Sequence, residues 1–597
     1  MSGIAAVVYL DGRPAKGSEL TPMLTELERV GPDGTSFREV GPAALGCARF
    51  DTLPEDGPQP VTFDGVTVVA DARLDNRNEL WRLLEASRTS SEAVLIASAI
   101  AKWGEKAPEH LEGDFAVIAW DGRERKLIAF RDRFGVRQLF LAEAPWGLLL
   151  ATTIDALLAH PLVDGRFDPD YFISYFATRR VTTPLTPYRS IKRLERASTL
   201  IATRQTMWQS NYYRLEPCQT SARLDEAAET VRHLLEQSVK ARLRASVPVS
   251  CEVSGGMDST SVFAIARSHS PDIEARTLVS ERLPQVDERR YNRELIGDSP
   301  WRQVLVDDLL SLEGTPCSTL FGEPVLEAAL GHVRISLYHP FRLIRLTGHG
   351  GDALMSAGYA LVNSLIKRGR FGLALQNVRA WADSRDRPIL RTLRYATRPG
   401  MIPKSRFVWA TERVKNQAEQ SVSTLRNSVR GHSHRPEVTL FNLYIENGNI
   451  SPYLPLDIRH PFLDRQLVEY SLGLPADVKC EGAVEKLTLR RATTDLLPRR
   501  ILDRNTKSSF DALYAWSAYQ NRSRINTWLD RPCLAALGVL QADGIKSLAH
   551  ALSEGRRDRI TEAMIIISTE AWLQGRIDRS ELGSSPAPAG NRDVSLA

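Results

Sequence analysis

At 597 residues and 66.6 kDa, the chain is longer than one ordinary hydrophobic core supports, so we expect two or more domains. Its composition, 43% hydrophobic and 25% charged, is typical of soluble globular proteins and favours neither a disordered nor a fibrous protein. No run approaches the roughly 18 apolar residues that a membrane-spanning helix needs, and we expect a cytoplasmic protein with no membrane span. The net charge of +5 is small for this length, and without a recognisable binding module it argues against a nucleic-acid partner.

The first two hundred residues consist of short alternating apolar segments separated by Gly, Pro and Asp clusters. This pattern predicts a domain rich in β-strands. The clearest strands are predicted at residues 3–10, 66–70, 115–120 and 148–152, with one helix at residues 91–103. We assign this first domain to residues 1–205.

From about residue 207 onward, apolar residues recur at intervals of three and four, beginning with residues 224–243, which predicts a mainly helical second domain. We assign it to residues 206–583. Residues 584–597 are rich in Ser, Pro, Ala and Gly and are expected to form a flexible tail. Lys and Arg crowd residues 367–406, which form either a solvated basic helical face or a contact for an acidic partner.

A glycine-rich loop follows the strand predicted at residues 247–253. It reads Ser254-Gly255-Gly256-Met257-Asp258-Ser259-Thr260 and leads straight into a helical pattern. The glycines permit close backbone approach, while the N–H groups, the hydroxyls of Ser254, Ser259 and Thr260, and the helix N-terminus can hold phosphate oxygens. Asp258 would repel a phosphate unless a divalent cation lay between them, which predicts magnesium.

This loop resembles the SGGxDS signature of ATP pyrophosphatases, the adenine nucleotide alpha hydrolase-like α/β enzymes, which adenylate a substrate and release pyrophosphate. The phosphate-binding motif GxxxxGK[ST] is absent, which disfavours kinase-like chemistry. A second element, Thr347-Gly348-His349-Gly350-Gly351-Asp352, resembles the SGxGxDE motif of asparagine synthetases. The resemblance implies that Asp352 is a second magnesium ligand and that Gly348 lies near the ribose and α-phosphate of ATP.

Three later segments also resemble the synthetase domain of that family. Residues 459–464, RHPFLD, resemble RxPFLD, residues 486–490 resemble KxxLR, and residues 504–510 resemble RxKxxF. The resemblance implies that Lys507 faces the reacting phosphate and stabilises charge during adenylation and amide formation.

The first two hundred residues resemble the glutamine amidotransferase domain of the same family. The similarity is carried by Met1-Ser2-Gly3-Ile4, by Gly31-Pro32-Asp33, by the LEGDFA string at residues 111–116 and by RDRFGVR at residues 131–137. The resemblance thus covers residues 1 to about 520. It implies an αββα sandwich of the N-terminal nucleophile type, followed by an α/β synthetase domain, and so a chain that combines α+β and α/β folds.

The residues that would use glutamine are altered. The family's N-terminal cysteine is replaced by Ser2, a weaker nucleophile at neutral pH. Its NGEIYN motif is replaced by DARLDN at residues 71–76, where Arg73 stands in place of the amine-binding glutamate and would repel the substrate's amine. Ser90 stands where the family commonly has an aspartate, and only Arg49 is retained. We therefore predict a degenerate domain without glutaminase activity.

Without glutamine, the nucleophile must be free ammonia or an amine on the substrate itself. The second option fits two branches of the family: β-lactam and carbapenam synthetases, and lasso peptide cyclases. The β-lactam branch has a tyrosine in its GYGxD motif where this chain has His349. His349 is either a general base, with Asp457 as its partner, or a structural histidine.

The length beyond RxKxxF and the basic stretch favour the lasso branch. We therefore expect a lasso peptide macrolactam synthetase that uses ATP and Mg²⁺ to adenylate a side-chain carboxylate of a precursor peptide. The amine exposed by a separate leader peptidase, acting with a leader-binding protein, would then attack. One alternative is a small-molecule synthetase, either ammonia-dependent and asparagine-type or ring-closing and β-lactam-type. Another is a pseudoenzyme that acts as a scaffold, but the presence of both Asp258 and Asp352 argues against it. Ser2 and Arg73 disfavour a glutamine-dependent transferase.

Overall fold

The computed structural model describes residues 2–178, 184–284, 286–308, 322–324, 342–357, 359–384, 387–397, 409–430, 438, 441–442, 444–445, 453–505, 511–553 and 560–582. The tail expected at residues 584–597 lies outside these ranges. Within them, no helix is both long enough and apolar enough to cross a membrane.

Antiparallel sheets form the centre of the N-terminal domain. Its described strands are β1 (Gly3–Tyr9), β2 (Thr35–Val40), β3 (Ala43–Ala48), β4 (Val61–Phe63), β5 (Val66–Leu74), β6 (Gly113–Asp121), β7 (Lys126–Arg131), β8 (Phe140–Ala144), β9 (Gly147–Ala151), β10 (Ile191–Arg193), β11 (Ser198–Ala202) and β12 (Met207–Asn211). One sheet has the order β10-β8-β9-β1-β3-β2 and the other β12-β11-β7-β6-β5-β4. The strands predicted from alternation correspond to β1, β5, β6 and β9. Because β12 pairs with β11, this sheet extends past residue 205.

Helices cover the outer faces of the two sheets. They are α1 (Gly17–Leu27), α2 (Arg77–Leu84), α3 (Glu92–Trp103), a 3₁₀ helix (Gly104–His110), α4 (Ile154–Leu158) and α5 (Pro169–Thr178). Helices α1 and α4 pack on the first sheet, and α2 and α3 on the second. Between the sheets, Ile4 and Val8 of β1 pack with Ile118 of β6, since alternate residues of a strand face opposite sides. The layers therefore follow the order α, β, β, α.

A parallel sheet organises the second domain. Its described strands are β13 (Val249–Glu252), β14 (Glu274–Val279), β15 (Trp301–Leu305), β16 (Leu343–Leu346) and β17 (Leu456–Arg459), and a short hairpin of β18 (Cys480–Glu481) and β19 (Val484–Glu485) follows. The parallel strands are arranged as β15-β14-β13-β16-β17. Ile344 and Leu346 of β16 lie in one hydrophobic core and Leu343 lies in another, so both faces of the sheet are packed, as is usual for parallel sheets.

The helices of this second domain, in chain order, are α6 (Leu224–Arg242), α7 (Met257–His269), α8 (Arg289–Ile296), α9 (Gly351–Met355), α10 (Tyr359–Lys367), α11 (Phe371–Ser384), α12 (Ile389–Thr397), α13 (Glu412–Arg430), α14 (Arg465–Gly473), α15 (Ala476–Lys479), α16 (Leu487–Ala492), α17 (Arg499–Leu502), α18 (Asp511–Gln520), α19 (Arg522–Asp530), α20 (Cys533–Ala536), α21 (Ala542–Ser553) and α22 (Ile560–Leu582). Leu235 of α6 and Phe263 of α7 belong to the core that also contains Ile344 of β16. The predicted helix at residues 224–243 corresponds to α6.

The last helices pack back onto the N-terminal domain. Trp572 of α22 is fully buried, and its ring lies 6.1 Å from that of Phe167. Arg576 of the same helix forms a buried ion pair with Asp155 at 2.5 Å. The two domains therefore share a hydrophobic core as well as buried charge.

Candidate active site

The loops that follow β13 and β16 meet at the carboxyl edge of the parallel sheet. These strands are neighbours, with Cys251 paired opposite Leu346. The chain builds β14 and β15 on one side of β13 and then returns to build β16 and β17 on the other. Open α/β sheets bind ligands at such a reversal of strand order. Residues 254–260 and 347–352 thus lie where a nucleotide would be expected.

Two glycines bring the second loop against the first. A Cβ atom on Gly348 would lie 2.5 Å from the backbone nitrogen of Ser259, and one on Gly351 would overlap the carboxyl group of Asp258. Real Cβ atoms do not approach so closely, so any side chain at either position would push the loops apart. The glycines are therefore required by the packing between the two loops.

Asp258 and Asp352 lie on either side of the Lys486 ammonium. Its Nζ atom donates to Asp258 Oδ2 at 2.6 Å and to Asp352 Oδ1 at 2.5 Å. The Asp258 side chain is 10% exposed, whereas that of Asp352 is 45% exposed. Burial disfavours the charged amine, but the two carboxylates outweigh it and raise the pKa of Lys486 above its ordinary value. The lysine is therefore a cation at neutral pH.

The pair of carboxylates fits magnesium. Asp258 and Asp352 contact the same nitrogen atom, so one cation can reach both. Mg²⁺ is usually held by one or two carboxylates together with water and the phosphates of its substrate. In the part of the chain that the structure describes, no group of three or more His, Cys, Asp or Glu side chains is placed to hold a metal. The two aspartates would thus hold Mg²⁺ with ATP, and the ion would neutralise phosphate charge.

Lys486 sits in an unusual backbone conformation. It lies between β19 and α16 with a φ of +63°, a left-handed value that costs a residue with a side chain on the order of 1 kcal/mol or more. Its carbonyl accepts the first hydrogen bond of α16 from Arg490 at 2.9 Å. In the sequence, Lys486 is visible only as the first residue of a KxxLR motif. The contact with both aspartates is a tertiary feature that the motif does not reveal.

The first glycine loop is held by its own serines. The Ser254 backbone N–H donates to Ser259 Oγ at 3.0 Å, and the two hydroxyl oxygens lie 2.9 Å apart. Gly256 precedes the first residue of α7, so the N-terminal N–H groups of this helix lie next to Asp258. The prediction that Thr260 binds nucleotide is not supported. Thr260 is fully buried, and its hydroxyl lies 2.7 Å from the Gly256 carbonyl, to which it donates.

Arg504 closes the other side of this loop. Gly255 has a φ of +64°, and its carbonyl accepts a hydrogen bond from Arg504 Nη1 at 3.0 Å. The same guanidinium pairs with both carboxylate oxygens of Glu288 and lies 3.8 Å from the centre of the Tyr291 ring. Arg504 begins the RxKxxF motif and fixes the shape of the loop. Lys507, the expected charge-stabilising lysine of that motif, lies outside the described residues.

His349 lies in a cluster of rings beside the carboxylates. Its ring stacks on Tyr444 at 5.0 Å between centroids and meets the edge of His460 at 4.9 Å. Burial, and then the carboxylates of Asp352 and Asp258, raise the pKa of Tyr444 to about 12. Burial, followed by the neighbouring His349, lowers the pKa of His460 well below its usual range, so His460 is neutral. No functional role was predicted from the sequence for either Tyr444 or His460.

Asp457 lies away from this cluster, in the interior of the sheet. It pairs in register with Ile344, two residues before the carboxyl end of β16. Asp457 is 1% exposed, and its two oxygens accept from Arg137 at 2.6 Å and from Arg459 at 2.8 Å. Although burial opposes ionisation, the two guanidinium groups hold the pKa of this carboxyl well below its usual range. The expectation that Asp457 acts with His349 as an acid or base is therefore corrected: Asp457 joins the two domains.

The pocket beside Ser2 is nearly closed. The Ser2 backbone N–H donates to Asp71 Oδ1 at 3.0 Å, and the Ser2 hydroxyl accepts from the Phe50 N–H at 3.0 Å. Two cavities adjoin Ser2 and Asp71: one of ≈ 20 Å³, next to Arg73, with room for about one water molecule, and one of ≈ 30 Å³, next to Thr152. Both are far too small for a glutamine side chain.

Arg73, which replaces the family's glutamate, is part of the wall of the smaller cavity. It is 1% exposed, and its guanidinium pairs with Asp75 and with Asp114, the latter at 2.8 Å. Glu92 also lines the cavity, and Arg244 of the second domain donates to it at 2.5 Å and to Glu55 at 2.5 Å. The position that would grip glutamine is thus occupied by buried ion pairs.

Comparison with known proteins assigns both domains to known families. Residues 230–574, more than half of the chain, match the family model described as asparagine synthase, and residues 1–213 match that of the glutamine amidotransferase domain. The chain belongs to the asparagine synthase family. Members of this family are ATP-dependent, AMP-forming carbon–nitrogen ligases, and this chain is an enzyme of that kind.

Relatives in the asparagine synthase family are similar over most of their length. The chain is 25% identical over 542 residues to asparagine synthetase [glutamine-hydrolyzing] 3 of Bacillus subtilis (strain 168), covering 84% of this chain and 86% of the relative. It is 27% identical over 474 residues to a putative asparagine synthetase [glutamine-hydrolyzing] of Mycobacterium bovis, covering 70% and 69%. A solved allosteric regulatory enzyme of purine biosynthesis aligns over 53% of this chain and 82% of its own, at 13% identity and with a TM-score of 0.28.

Proposed function

We propose that the protein is a lasso peptide macrolactam synthetase. ATP adenylates a side-chain carboxylate of a precursor peptide and pyrophosphate leaves. The peptide's own N-terminal amine then attacks the activated carbonyl, an amide bond forms and AMP departs. A leader peptidase that exposes this amine, and a leader-binding protein, are the partners that the proposal requires.

One contrast carries this proposal. The carboxylates and the lysine of the adenylation site, Asp258, Asp352 and Lys486, are assembled within hydrogen-bonding distance. The two cavities beside Ser2, where glutamine would release ammonia, are far too small for a glutamine side chain. An enzyme that can still activate a carboxylate, but cannot release ammonia from glutamine, needs a nucleophile from another source. An amine on the same substrate supplies it without a second binding event.

The roles of the side chains follow from their charge and position. Asp258 and Asp352 would hold the Mg²⁺ that accompanies ATP. Ser254, Ser259 and the backbone N–H groups at the start of α7 would bind the phosphates, with Gly348 near the ribose. Lys486, together with Lys507, would stabilise the charge that develops on phosphate and carbonyl oxygens. His349 would accept the proton that the attacking amine must lose, since an imidazole titrates near neutral pH.

A second candidate function is an ammonia-dependent asparagine-type synthetase, or a small-ring synthetase of the β-lactam type. Its support is the similarity to relatives that are named asparagine synthetases, one of which matches over more than 80% of each chain. In this case, ammonia would reach the adenylate from solution, or an internal amine of a small substrate would attack.

The proposal is tested by tracing a labelled carboxylate oxygen from the peptide to AMP. The purified protein is incubated with ATP, Mg²⁺ and a precursor peptide whose acidic side chain carries a heavy-oxygen label. Adenylation and ring closure transfer one labelled oxygen to AMP and leave a peptide lighter by one water, whereas an N-acetylated peptide does not cyclise. ADP in place of AMP, or equal turnover by Asp258→Asn, contradicts the proposal. Turnover of aspartate with ammonia, and of no peptide, supports the second candidate.

A further inference from the structure

A group of large apolar side chains lies exposed on α11 and α12, the two helices that pack against α10. We call this region the α10–α12 surface. Its most exposed members are Leu390 and Phe371, with 80% and 65% of their surface open to solvent, and Leu373, Leu375 and Ile389 are about 40% exposed. These side chains lie on two helices that contact each other, and exposed apolar patches mark interaction sites in soluble proteins.

The inner faces of these helices already have a core. Val378 and Trp381 of α11 are buried against Leu361, Val362 and Leu365 of α10. The outward apolar side chains are therefore additional to what the packing of the three helices requires. Phe371 and Leu390 contribute little to folding, because burial of apolar surface is what stabilises the fold.

The same surface is strongly basic. Residues 359–397 contain eight Lys and Arg residues and two Asp residues, so this short segment carries a larger positive charge than the net +5 of the entire chain. Its exposed cations include Lys367, Arg370, Arg379, Arg387 and Arg394. A surface that combines positive charge with exposed apolar side chains favours a partner that carries both acidic and apolar side chains.

The α10–α12 surface is connected to the adenylation site at two points. Helix α9, which carries Asp352, ends at Met355, and α10 begins at Tyr359. Asn377 of α11 accepts a hydrogen bond through Oδ1 from the Gly482 N–H at 2.8 Å, in the turn of the hairpin that leads to Lys486. A ligand on these helices would therefore lie beside the elements that position both groups.

We propose that the α10–α12 surface binds an acidic segment of the peptide substrate that also carries apolar side chains, and so holds the carboxylate to be activated near Asp352 and Lys486. That the occupant is the substrate rests on the proposed function. An anionic lipid surface has compatible charge, but the direct connection to Asp352 and Lys486 favours the substrate.

The test measures binding without ATP. Fluorescein-labelled peptides of equal length are compared by anisotropy: one acidic and apolar, one acidic without apolar residues and one basic and apolar. The variants are Phe371→Ser with Leu390→Ser, and Arg387→Glu with Arg394→Glu. Leu162→Ser with Arg204→Glu is the matched control, because Leu162 is 61% exposed on the N-terminal domain and Arg204 is also exposed.

We expect the acidic, apolar peptide to bind at least about tenfold more tightly than the other two, and each surface variant to weaken it by about tenfold, or 1.4 kcal/mol. The control variant and Asp258→Asn should bind it as the unaltered protein does. Equal binding of all three peptides, or equal losses in the control, contradicts the proposal. Binding to vesicles of anionic phosphatidylglycerol that shows the same dependence on the surface variants, with no peptide binding, assigns the surface to lipid instead.

The binding assay also separates this inference from the proposed function. If the acidic peptide binds through the α10–α12 surface but no peptide yields AMP, the surface stands and the macrolactam proposal fails. If a precursor peptide yields AMP and the surface variants leave both its binding and its KM unchanged, the macrolactam proposal stands and the α10–α12 inference fails.

Discussion

Lys486 Nζ lies 2.6 Å from Asp258 Oδ2, although 228 residues separate the two in the chain. The same ammonium reaches Asp352, so a single positive charge lies between two carboxylates and offsets part of their mutual repulsion. The lysine is therefore part of the site that would receive Mg²⁺ and ATP. A positive group fixed in a crevice of low dielectric can stabilise developing negative charge without reorganising during the reaction.

Replacement of Lys486 by Met should lower the rate of AMP formation by roughly 10²–10³-fold, as the loss of one preorganised charge-stabilising group does in other enzymes. The initial rate of pyrophosphate release at saturating ATP measures this. Lys240→Met is the matched control, since Lys240 is exposed on α6. An Lys486→Met protein that folds, as judged by circular dichroism, and retains its rate would rule out this role for Lys486.

Gly351→Ala should abolish adenylation while leaving the N-terminal domain intact. The new methyl group would overlap the Asp258 carboxyl group and displace it from Asp352 and Lys486. Gly57→Ala should be nearly neutral, because nothing lies within 4 Å of the added atom. Pyrophosphate release from both variants, with binding of a fluorescent ATP analogue, measures the difference. Equal rates would show that the two loops do not need their close contact.

Asp457→Asn should destabilise the protein by about 3–5 kcal/mol, since it removes the carboxylate paired with the buried Arg459 and leaves the buried Arg137 only its longer contact with Asp71, at 3.7 Å. The native pKa of Asp457 is depressed, so its ionised form stabilises the fold at pH values above the unfolded pKa of about 3.9, and this stability is lost as the pH falls towards the native pKa. Urea unfolding from pH 3 to pH 7 measures both effects.

In those urea experiments, the pH dependence of unfolding should be shallower below about pH 4 for Asp457→Asn than for the unaltered protein. Asp170→Asn is the control, because Asp170 pairs with Arg413 on the surface, where ion pairs contribute about 0–1 kcal/mol. If Asp457→Asn lost catalysis at unchanged stability, a direct part in the chemistry would be supported instead of a role in joining the domains.

Ser2→Cys should not create glutaminase activity. The substitution restores a stronger nucleophile, but the neighbouring cavities of ≈ 20 Å³ and ≈ 30 Å³ remain too small for glutamine, and Arg73 stays paired with Asp75 and Asp114. Glutamate release from glutamine, measured for the unaltered protein and for Ser2→Cys, should stay at background in both. Release that depends on residue 2 would show that the pocket opens to admit glutamine.

Much of the fold could be predicted because its signals are local. The alternation of apolar residues marked β1, β5, β6 and β9, and helical spacing marked α6 within one or two residues of its ends. The two glycine loops could be placed on strand ends for the same reason. The extension of the sheet by β12 was less apparent, because its residues are all exposed and lack the alternation of a half-buried strand.

The site was only partly predictable. Thr260 has the hydroxyl that a phosphate loop offers, but whether that hydroxyl faces a ligand or its own helix depends on where the helix begins, and here it donates to Gly256. Tyr444 belongs to no motif, and the RHPFLD motif that contains His460 does not by itself place that residue beside His349. Such contacts join residues that are distant in the chain, and sequence periodicity describes only near neighbours.

The sequence by itself determined the local modules: a strand, a glycine loop with Asp258 and a helix, and a second glycine loop with Asp352. Only the tertiary structure decided that Lys486 joins these two aspartates, that Asp457 is enclosed by Arg137 and Arg459, and that the space beside Ser2 is closed. The physical reason is that backbone preference acts between adjacent residues. Charge pairing and packing act through space, between segments that the chain brings together only when it folds.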